Sequence, residues 1–411
     1  MHGLVGVDES VFITDCLLLR NQFIGIYSER YCRVERTMIE TLPKSGDYLG
    51  LGIGINIAAA GAANKLIVRD CVLANNHGSG IKMFGADATV ERTVIRDTNY
   101  VTQYLDGDGI AAFPTAGRPS ELRVIDSLIH RNLTDGIYVS SGRATIQRTI
   151  VSDTRMPQYF GGYGVASDSR DYPSEITLRE CIVERNLTSG VNAVDSRLVL
   201  ERSVVRDTST GPSAHYRGWL TNRCSGTGVE SLGEVLSGAR SALTVRDSLL
   251  TNNLCAGVFV DRSDLECERT IISRTTSQMP FGTRGELAAG VIVIGTRGPA
   301  RPTASLRDVL LSENQYVGLY VNGATDTRLQ RTAIVDTRPG KGSGLGGIGL
   351  MATEGGAGAL TLLDSLIASS RLAGVNAGYR TGWEKRRLEL PILWIMPGNV
   401  MVWTTNFQIS C

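Results

Sequence analysis

Residues 66–81 read Leu66-Ile67-Val68-Arg69-Asp70-Cys71-Val72-Leu73, then Asn76, then Gly80-Ile81. The phrase returns over residues 122–137, 176–191, 243–258, 305–319 and 360–375, and an earlier copy spans 12–26. Between the copies lies a second phrase, Val90-Glu91-Arg92-Thr93-Val94-Ile95 followed by Asp97-Thr98, with relatives beginning at Val34, Ile146, Leu200, Cys267 and Leu329. Within each phrase the apolar period is two rather than 3.6. Leu66 and Val68 flank Ile67, Cys71 and Leu73 flank Val72, and Ile81 and Met83 flank Lys82. A period of two is the mark of a strand, because successive side chains point to opposite faces.

A glycine followed by an aliphatic residue opens each unit. These are Gly3, Gly25, Gly54, Gly80, Gly109, Gly136, Gly164, Gly190, Gly228, Gly257, Gly290, Gly318, Gly347 and Gly374, spaced 22 to 38 residues apart. Self-similarity at such a period signals a repeat architecture in which each unit buries its apolar side against the next. Three short strands per unit, with no helical segment between them, exclude a βαβ fold. They predict a parallel β-solenoid of about thirteen coils over residues 1–379.

Two columns test that reading. The residue before Cys71 and its equivalents runs Asp15, Arg36, Asp70, Arg92, Asp126, Arg148, Glu180, Arg202, Asp247, Arg269, Asp308, Arg331, Asp364. The sign alternates throughout. Coils stacked at a strand spacing of about 4.8 Å would set each acid between two arginines at the bend between second and third strands. Like charges so placed would repel. The other column runs Asn76, Thr98, Asn132, Thr154, Asn186, Thr208, Asn253, Thr275, Asn314, Thr337, Ser370, one turn after the third strand. Its polar side chains are expected to satisfy the buried turn backbone and one another.

The Gly-[Ile/Val] strand start, the Asn-x3-Gly turn and the Asn/Thr column resemble the right-handed parallel β-helix repeat family, the pectin-lyase-like superfamily. The resemblance covers roughly residues 3–379. It implies the right hand of the coil, which agrees with the crossover rule for parallel strands, and an extracellular or cell-surface location. Polygalacturonase-type, pectate-lyase-type and epimerase-type catalytic motifs are absent, so no catalytic residue carries over.

Composition narrows the partners. Lys and Arg number 42 and Asp and Glu 41, a net charge of +1, which leaves no electrostatic footprint for nucleic acid. No apolar run reaches 18 residues, so no spanning helix is expected. The N-terminus shows no signal-peptide pattern, and Gly3 already reads as a strand glycine, so an N-terminal cap is expected to lie upstream. Residues 380–411 leave the repeat and read as a tail or cap.

The units alternate. Four residues separate the column Asn from the strand Gly in one coil, and 10 to 20 separate the column Thr from the Gly in the next. Projecting loops therefore flank the face of the first strand in alternate coils, and function rides on such loops. They carry Tyr48, Tyr100, Tyr104, Tyr159, Phe160, Tyr163, Tyr216, Trp219 and Phe281. Outward strand positions add Tyr27, Tyr138, Phe259 and Tyr320, with Lys82 beside them. A row of aromatics at coil spacing suits a linear polysaccharide or another extended ligand.

Acids gather there too. Asp108 and Asp135 precede the strand glycine in adjacent units, Asp106 sits in the turn before Asp108, and Asp168 lies on the next coil. Close carboxylates can split their pKa values and serve as acid and base. Alternatively Asp106, Asp108 and Asp135 offer hard oxygen ligands for Ca2+; otherwise no cofactor is expected. Asp before Gly is also ordinary turn chemistry.

The four histidines are scattered without zinc spacing. Cys16, Cys71 and Cys181 share one inward slot, and Cys224 and Cys255 sit before successive strand glycines, where they could pair. The acceptor patterns at Asn132 and Asn186 fall on the turn column and are discounted as glycosylation sites. The leading expectation is a non-catalytic secreted or surface scaffold that binds polysaccharide along its first-strand face. The alternatives are a divergent polysaccharide lyase or glycoside hydrolase using Asp108 and Asp135, and a structural segment of a longer adhesin. A monomer, or part of a longer chain, is expected.

Overall fold

The computed structural model describes residues 4–6, 10–41, 52–58, 64–99, 107–155, 161–210, 225–233, 241–277, 288–295, 301–323, 325–340, 346–353, 359–377, 393–396 and 399–410. Among them every regular element is a strand. The chain divides into two compact units, residues 1–197 with 211–213 and residues 198–210 with 214–411.

One coil shows the pattern. A first strand, Ser79–Phe84, is followed by a second, Asp87–Glu91, and a third, Val94–Arg96. Each pairs in parallel with its equivalent in the neighbouring coil, so that Ile81 lies on Ile110, Val90 on Val124 and Ile95 on Ile129. The first unit stacks eight first strands in this way, from Leu4–Gly6 to Ser189–Val194, and the second stacks six, from Thr227–Leu232 to Ala373–Ala377.

The core is a set of apolar columns. Ile26, Ile55, Ile81, Ile110, Ile137, Val165 and Val191 form one in the first unit, and Val229, Val258, Val291, Leu319 and Leu350 form its counterpart in the second, all at 0% exposure. Burying each such side chain is worth about 1.5–3 kcal/mol. The strand glycine beside them is a steric requirement. A Cβ on Gly136 would sit 2.5 Å from the Gly164 carbonyl oxygen and 2.5 Å from Val151 Cγ1. A Cβ on Gly318 would meet Ile334 and the Gly349 carbonyl oxygen equally closely. Gly318 therefore stacks on Gly349, which corrects the expectation of Gly347; that glycine lies in the preceding turn at φ 81°.

The charged column lies where expected, with one difference. Every member from Asp15 to Asp364 adopts a left-handed backbone, at φ 45–56°, and this single residue makes the bend. A non-glycine residue in that region costs roughly 1–2 kcal/mol. Within each unit the arginine forks onto the acid of the coil before it, as for Arg36, Arg92, Arg148, Arg269 and Arg331. Arg92 Nε and Nη2 donate to Asp70 at 2.7 and 2.9 Å, Arg148 to Asp126 at 2.6 and 2.9 Å, Arg269 to Asp247 at 2.6 and 2.9 Å, and Arg331 to Asp308 at 2.6 and 2.7 Å. A second left-handed column, not anticipated from the sequence, follows the third strand. In it Arg131 forks onto Asp97 at 2.7 and 2.8 Å, and Arg185 onto Asp153 at 2.9 and 2.8 Å.

The Asn/Thr column is buried throughout, but only Asn186, Asn253 and Asn314 do all the work expected; the Nδ2 groups of Asn76 and Asn132 are buried without a hydrogen-bond partner. Asn253 Oδ1 accepts the Thr208 N–H at 3.2 Å, and its Nδ2 donates to the Val205 carbonyl at 3.3 Å. Asn186 and Asn314 repeat this geometry. The Thr98, Thr154, Thr208, Thr275 and Thr337 hydroxyls are buried without a hydrogen-bond partner. Asn132 and Asn186, at 0% exposure, are closed to glycosylation.

Cys71 and Cys181 pack in the inward slot as expected. Burial pushes the Cys181 thiol up to about 11. Cys16 is exposed, because its coil lies at the edge of the described stack and has no preceding third strand over it. Cys255 is disulfide-bonded, and Cys224 lies outside the described residues. The tail contributes a strand, Asn399–Ser410, that runs antiparallel along Ala359–Ala368 and covers that sheet edge.

Two outcomes follow. Asn253→Ala is expected to lower unfolding free energy by about 1–3 kcal/mol, since it strands a buried N–H and a carbonyl. Thr275→Val should be neutral or stabilising, because no bond is lost; denaturant melts distinguish the two. Second, the arginine hydrogen bonds hold Asp70, Asp97, Asp126, Asp247 and Asp308 below the usual carboxylate range. A depressed native pKa adds stability that is complete above the unfolded value of about 3.9 and is lost as pH falls through the native one. Thermal midpoints should therefore drop below about pH 4. A flat profile from pH 5 to 2 would contradict the ion-pair columns.

Candidate functional site

On the outer face of the first-strand sheet in the first unit, alternate residues point away from the core. One register row runs Tyr27, Asn56, Lys82, Ala111, Tyr138, Ala166, Asn192, and the next carries Ala58, Phe84, Phe113. Phe84 and Phe113 stack at 5.4 Å between centroids and 20° between planes. Tyr138 meets Phe113 edge-on at 5.6 Å and 62°. The two phenylalanines thus spend a face each on one another, and Tyr138 is turned out of their stack. The Lys82 ammonium lies 5.5 Å from the Phe113 centroid and 6.0 Å from that of Phe84, within cation–π range.

The strip ends on a polar knot. The Tyr138 hydroxyl donates to Asp168 Oδ2 at 2.9 Å, Ser140 Oγ donates to Oδ1 at 2.7 Å, and Arg170 Nε donates to Oδ2 at 2.8 Å. Burial, then the Asp168 charge, drives the Tyr138 phenol far above its ordinary range. Asp168 in turn holds the Arg170 guanidinium charged.

One side of the strip is walled by two turns. Thr115 and Arg118 exchange backbone hydrogen bonds at 2.9 and 3.0 Å, and Arg118 pairs with Asp87 at 2.9 Å. The turn of the second following coil, residues 169–173, is held at its start by Ser141, whose Oγ accepts the N–H groups of Arg170 and Asp171 at 2.8 and 2.9 Å. The two turns meet over the short bend between them, where the Gly117 N–H donates to the Tyr172 hydroxyl at 2.8 Å.

Of the residues expected here, Tyr138 and Asp168 meet, and Lys82 lies over Phe113, the ring that Tyr138 touches edge-on. Asp108 and Asp135 lie at the start of their strands, 5% and 6% exposed. Asp108 Oδ1 accepts the Asp135 N–H at 3.2 Å, and Asp135 Oδ1 accepts the Tyr163 N–H at 3.2 Å. Each carboxylate therefore ties its coil to the next. Asp106, Tyr159, Phe160, Tyr216 and Trp219 lie outside the described residues, as do Tyr48, Tyr100, Tyr104 and Phe281. Among the described residues no three His, Cys, Asp or Glu side chains gather as a metal site. Phe259, in the second unit, is 3% exposed, so this outward position offers no open surface.

Phe84, Phe113, Arg170 and Tyr172 were not anticipated. The two phenylalanines could have been found from register, since Phe84 is two residues beyond Lys82 on the same face and Phe113 is its equivalent one coil on. Arg170 and Tyr172 could not, because turn residues have no periodicity to place them.

A regular parallel coil with strand glycines, stacked aliphatic columns and polar turn columns defines a β-helix. The chain belongs to the right-handed β-helix family, which matches it over residues 8–202 and 118–277. No curated protein sequence matches it. Among solved structures it is similar to the A-module of the Azotobacter vinelandii mannuronan C-5 epimerase AlgE4, at 12% identity and a TM-score of 0.40 over 86% of this chain and 88% of that one. It is also similar to the pectate lyase Pel9A, at 10% and 0.34 over 80% and 67%. The Streptococcus pneumoniae surface adhesin PfbA gives 8% and 0.34 over 96% and 92%. Each likeness is one of coil architecture alone. Among the described residues no helix is long and apolar enough to cross a membrane.

Alkaline spectrophotometric titration tests the polar knot. Tyr138→Phe should remove a phenol that ionises well above the ordinary value of about 10. Loss of an ordinarily titrating phenol would contradict the Asp168 contact.

Proposed function

We propose that the protein is a non-catalytic, secreted or surface-exposed scaffold that binds a polysaccharide along the outer face of its first-strand sheet. The observation that carries this reading is the strip Lys82, Phe84, Phe113 and Tyr138, closed by the Asp168–Arg170 pair. Parallel coils set these groups in line along the stacking direction, as an extended polymer requires. Ring edges and the turned Tyr138 ring offer apolar contact to sugar C–H groups, and Lys82 and Arg170 offer hydrogen bonds to hydroxyls or acidic substituents. The disulfide at Cys255 supports an oxidising compartment.

The enzymatic reading assigns chemistry to Asp108 and Asp135. Against it stands the use each makes of an oxygen in holding the next coil's backbone. Both readings meet one experiment: soluble polysaccharides, acidic and neutral, are titrated onto the full chain with and without Ca2+, and the mixtures are analysed for products by mass spectrometry. The expected outcome is saturable binding without product, weakened roughly tenfold or more, about 1.4 kcal/mol, by Lys82→Ala and by Phe113→Ala. Binding indifferent to both substitutions would sink the strip as the site. Product formation abolished by Asp108→Asn or Asp135→Asn would establish the enzyme instead.

A further inference from the structure

On the second unit, the outer face of the second-strand sheet holds a concavity lined by Glu266, Glu268, Ser305, Arg307, Arg328 and Gln330. Register explains its shape. Glu266, Ser305 and Arg328 occupy one row on successive coils, and Glu268, Arg307 and Gln330 the row beside it. Ser305 is the short member between two long ones, so the sheet surface is notched at that coil.

The two sides of the notch differ in kind. Arg246 Nη2 binds both Glu266 oxygens at 2.9 Å. Glu268, with its side chain 9% exposed, receives both Arg269 and Arg307. Those charges are matched and held in place. By contrast, the side chains of Ser305, Arg328 and Gln330 have no hydrogen-bond or ion-pair partner among the described residues. Asp326, two residues from Arg328, is engaged with the Ala359 N–H at 3.0 Å.

We propose that this notch binds a small ligand carrying a carboxylate next to a hydroxyl group. A planar guanidinium with all five donors available fits a carboxylate with two parallel hydrogen bonds. Gln330 and Ser305 complete the shell around it. The fixed Glu266 carboxylate, which can only accept, selects for a ligand hydroxyl at the far side. The site lies on a different sheet from the polysaccharide strip and stands independently of it.

Isothermal titration of the full chain with D-gluconate tests the proposal, with acetate and D-glucose as single-function controls. Gluconate is expected to bind with a dissociation constant of about 1 mM and acetate and glucose at least roughly tenfold more weakly, since each satisfies one side only. Arg328→Ala should abolish binding, as should Ser305→Lys, which fills the notch and leaves Arg328 in place. Neither position holds a folding contact, so both variants should melt like the parent. Gluconate binding no tighter than acetate, or binding retained by Arg328→Ala, would overturn the assignment.

Discussion

In a stack of parallel coils every position of the repeat lies on its own equivalent, one strand spacing away. That constraint governs the rest of the molecule. Identical aliphatic side chains stack well, which is why the inward columns repeat almost without variation. Identical charges do not, so a charged column must alternate or break. Identical β-carbons beside the strand start would strike the next coil's carbonyl, so that position is glycine. Solenoid stability is then a sum over interfaces between neighbours, and each column is a separate answer to the same demand.

The two left-handed columns show how the demand is met at the bends. Asp70 binds Arg92 in the next coil; Asp97, from that second coil, binds Arg131 in the third; Asp126, from the third, binds Arg148 in the fourth; and Asp153 binds Arg185 in the fifth. Each coil is thus clamped to the one before by one column and to the one after by the other. Exposed pairs of this kind add little to stability. Their larger effect is on register. A slip by one coil would set Asp on Asp and Arg on Arg, and a slip by one residue would turn every inward side chain outward.

The same logic marks what could be read from the sequence. Strand identity, coil boundaries, the first charged column and the Asn/Thr column were legible because each recurs at every turn. The Asn/Thr column also shows the limit of reading by residue type. Asn and Thr alternate in a polar slot, yet Asn reaches the preceding coil's backbone and Thr, one bond shorter and with a single polar atom, does not. Asp108 and Asp135 show another limit. Spacing brings two acids to adjacent strand starts, but only register shows that each also accepts the next coil's N–H. The Ser305 notch depends on a residue being smaller than both neighbours in its row, which a search for recurring features passes over.

A uniform stack has no reason to bind anything at one place rather than another, so recognition must come from departures that the stack tolerates. Inward positions allow none, because a changed side chain there disturbs the coil before and the coil after. Outward positions allow them freely. In the first unit Lys82, Ala111, Tyr138 and Ala166 alternate long and short, and the two alanines lie at 0% and 3% exposure, shielded by what flanks them. The long turns fall on alternate coils for the same reason: the bend they replace would otherwise be one more identical contact, and two turns that project close over the short bend between them, where Ser141 is fully buried. The bond from Gly117 to Tyr172 spans such a short bend at Ser141. The two-coil period of the charges at the bends, about 9.6 Å, is thus also the period of the long turns.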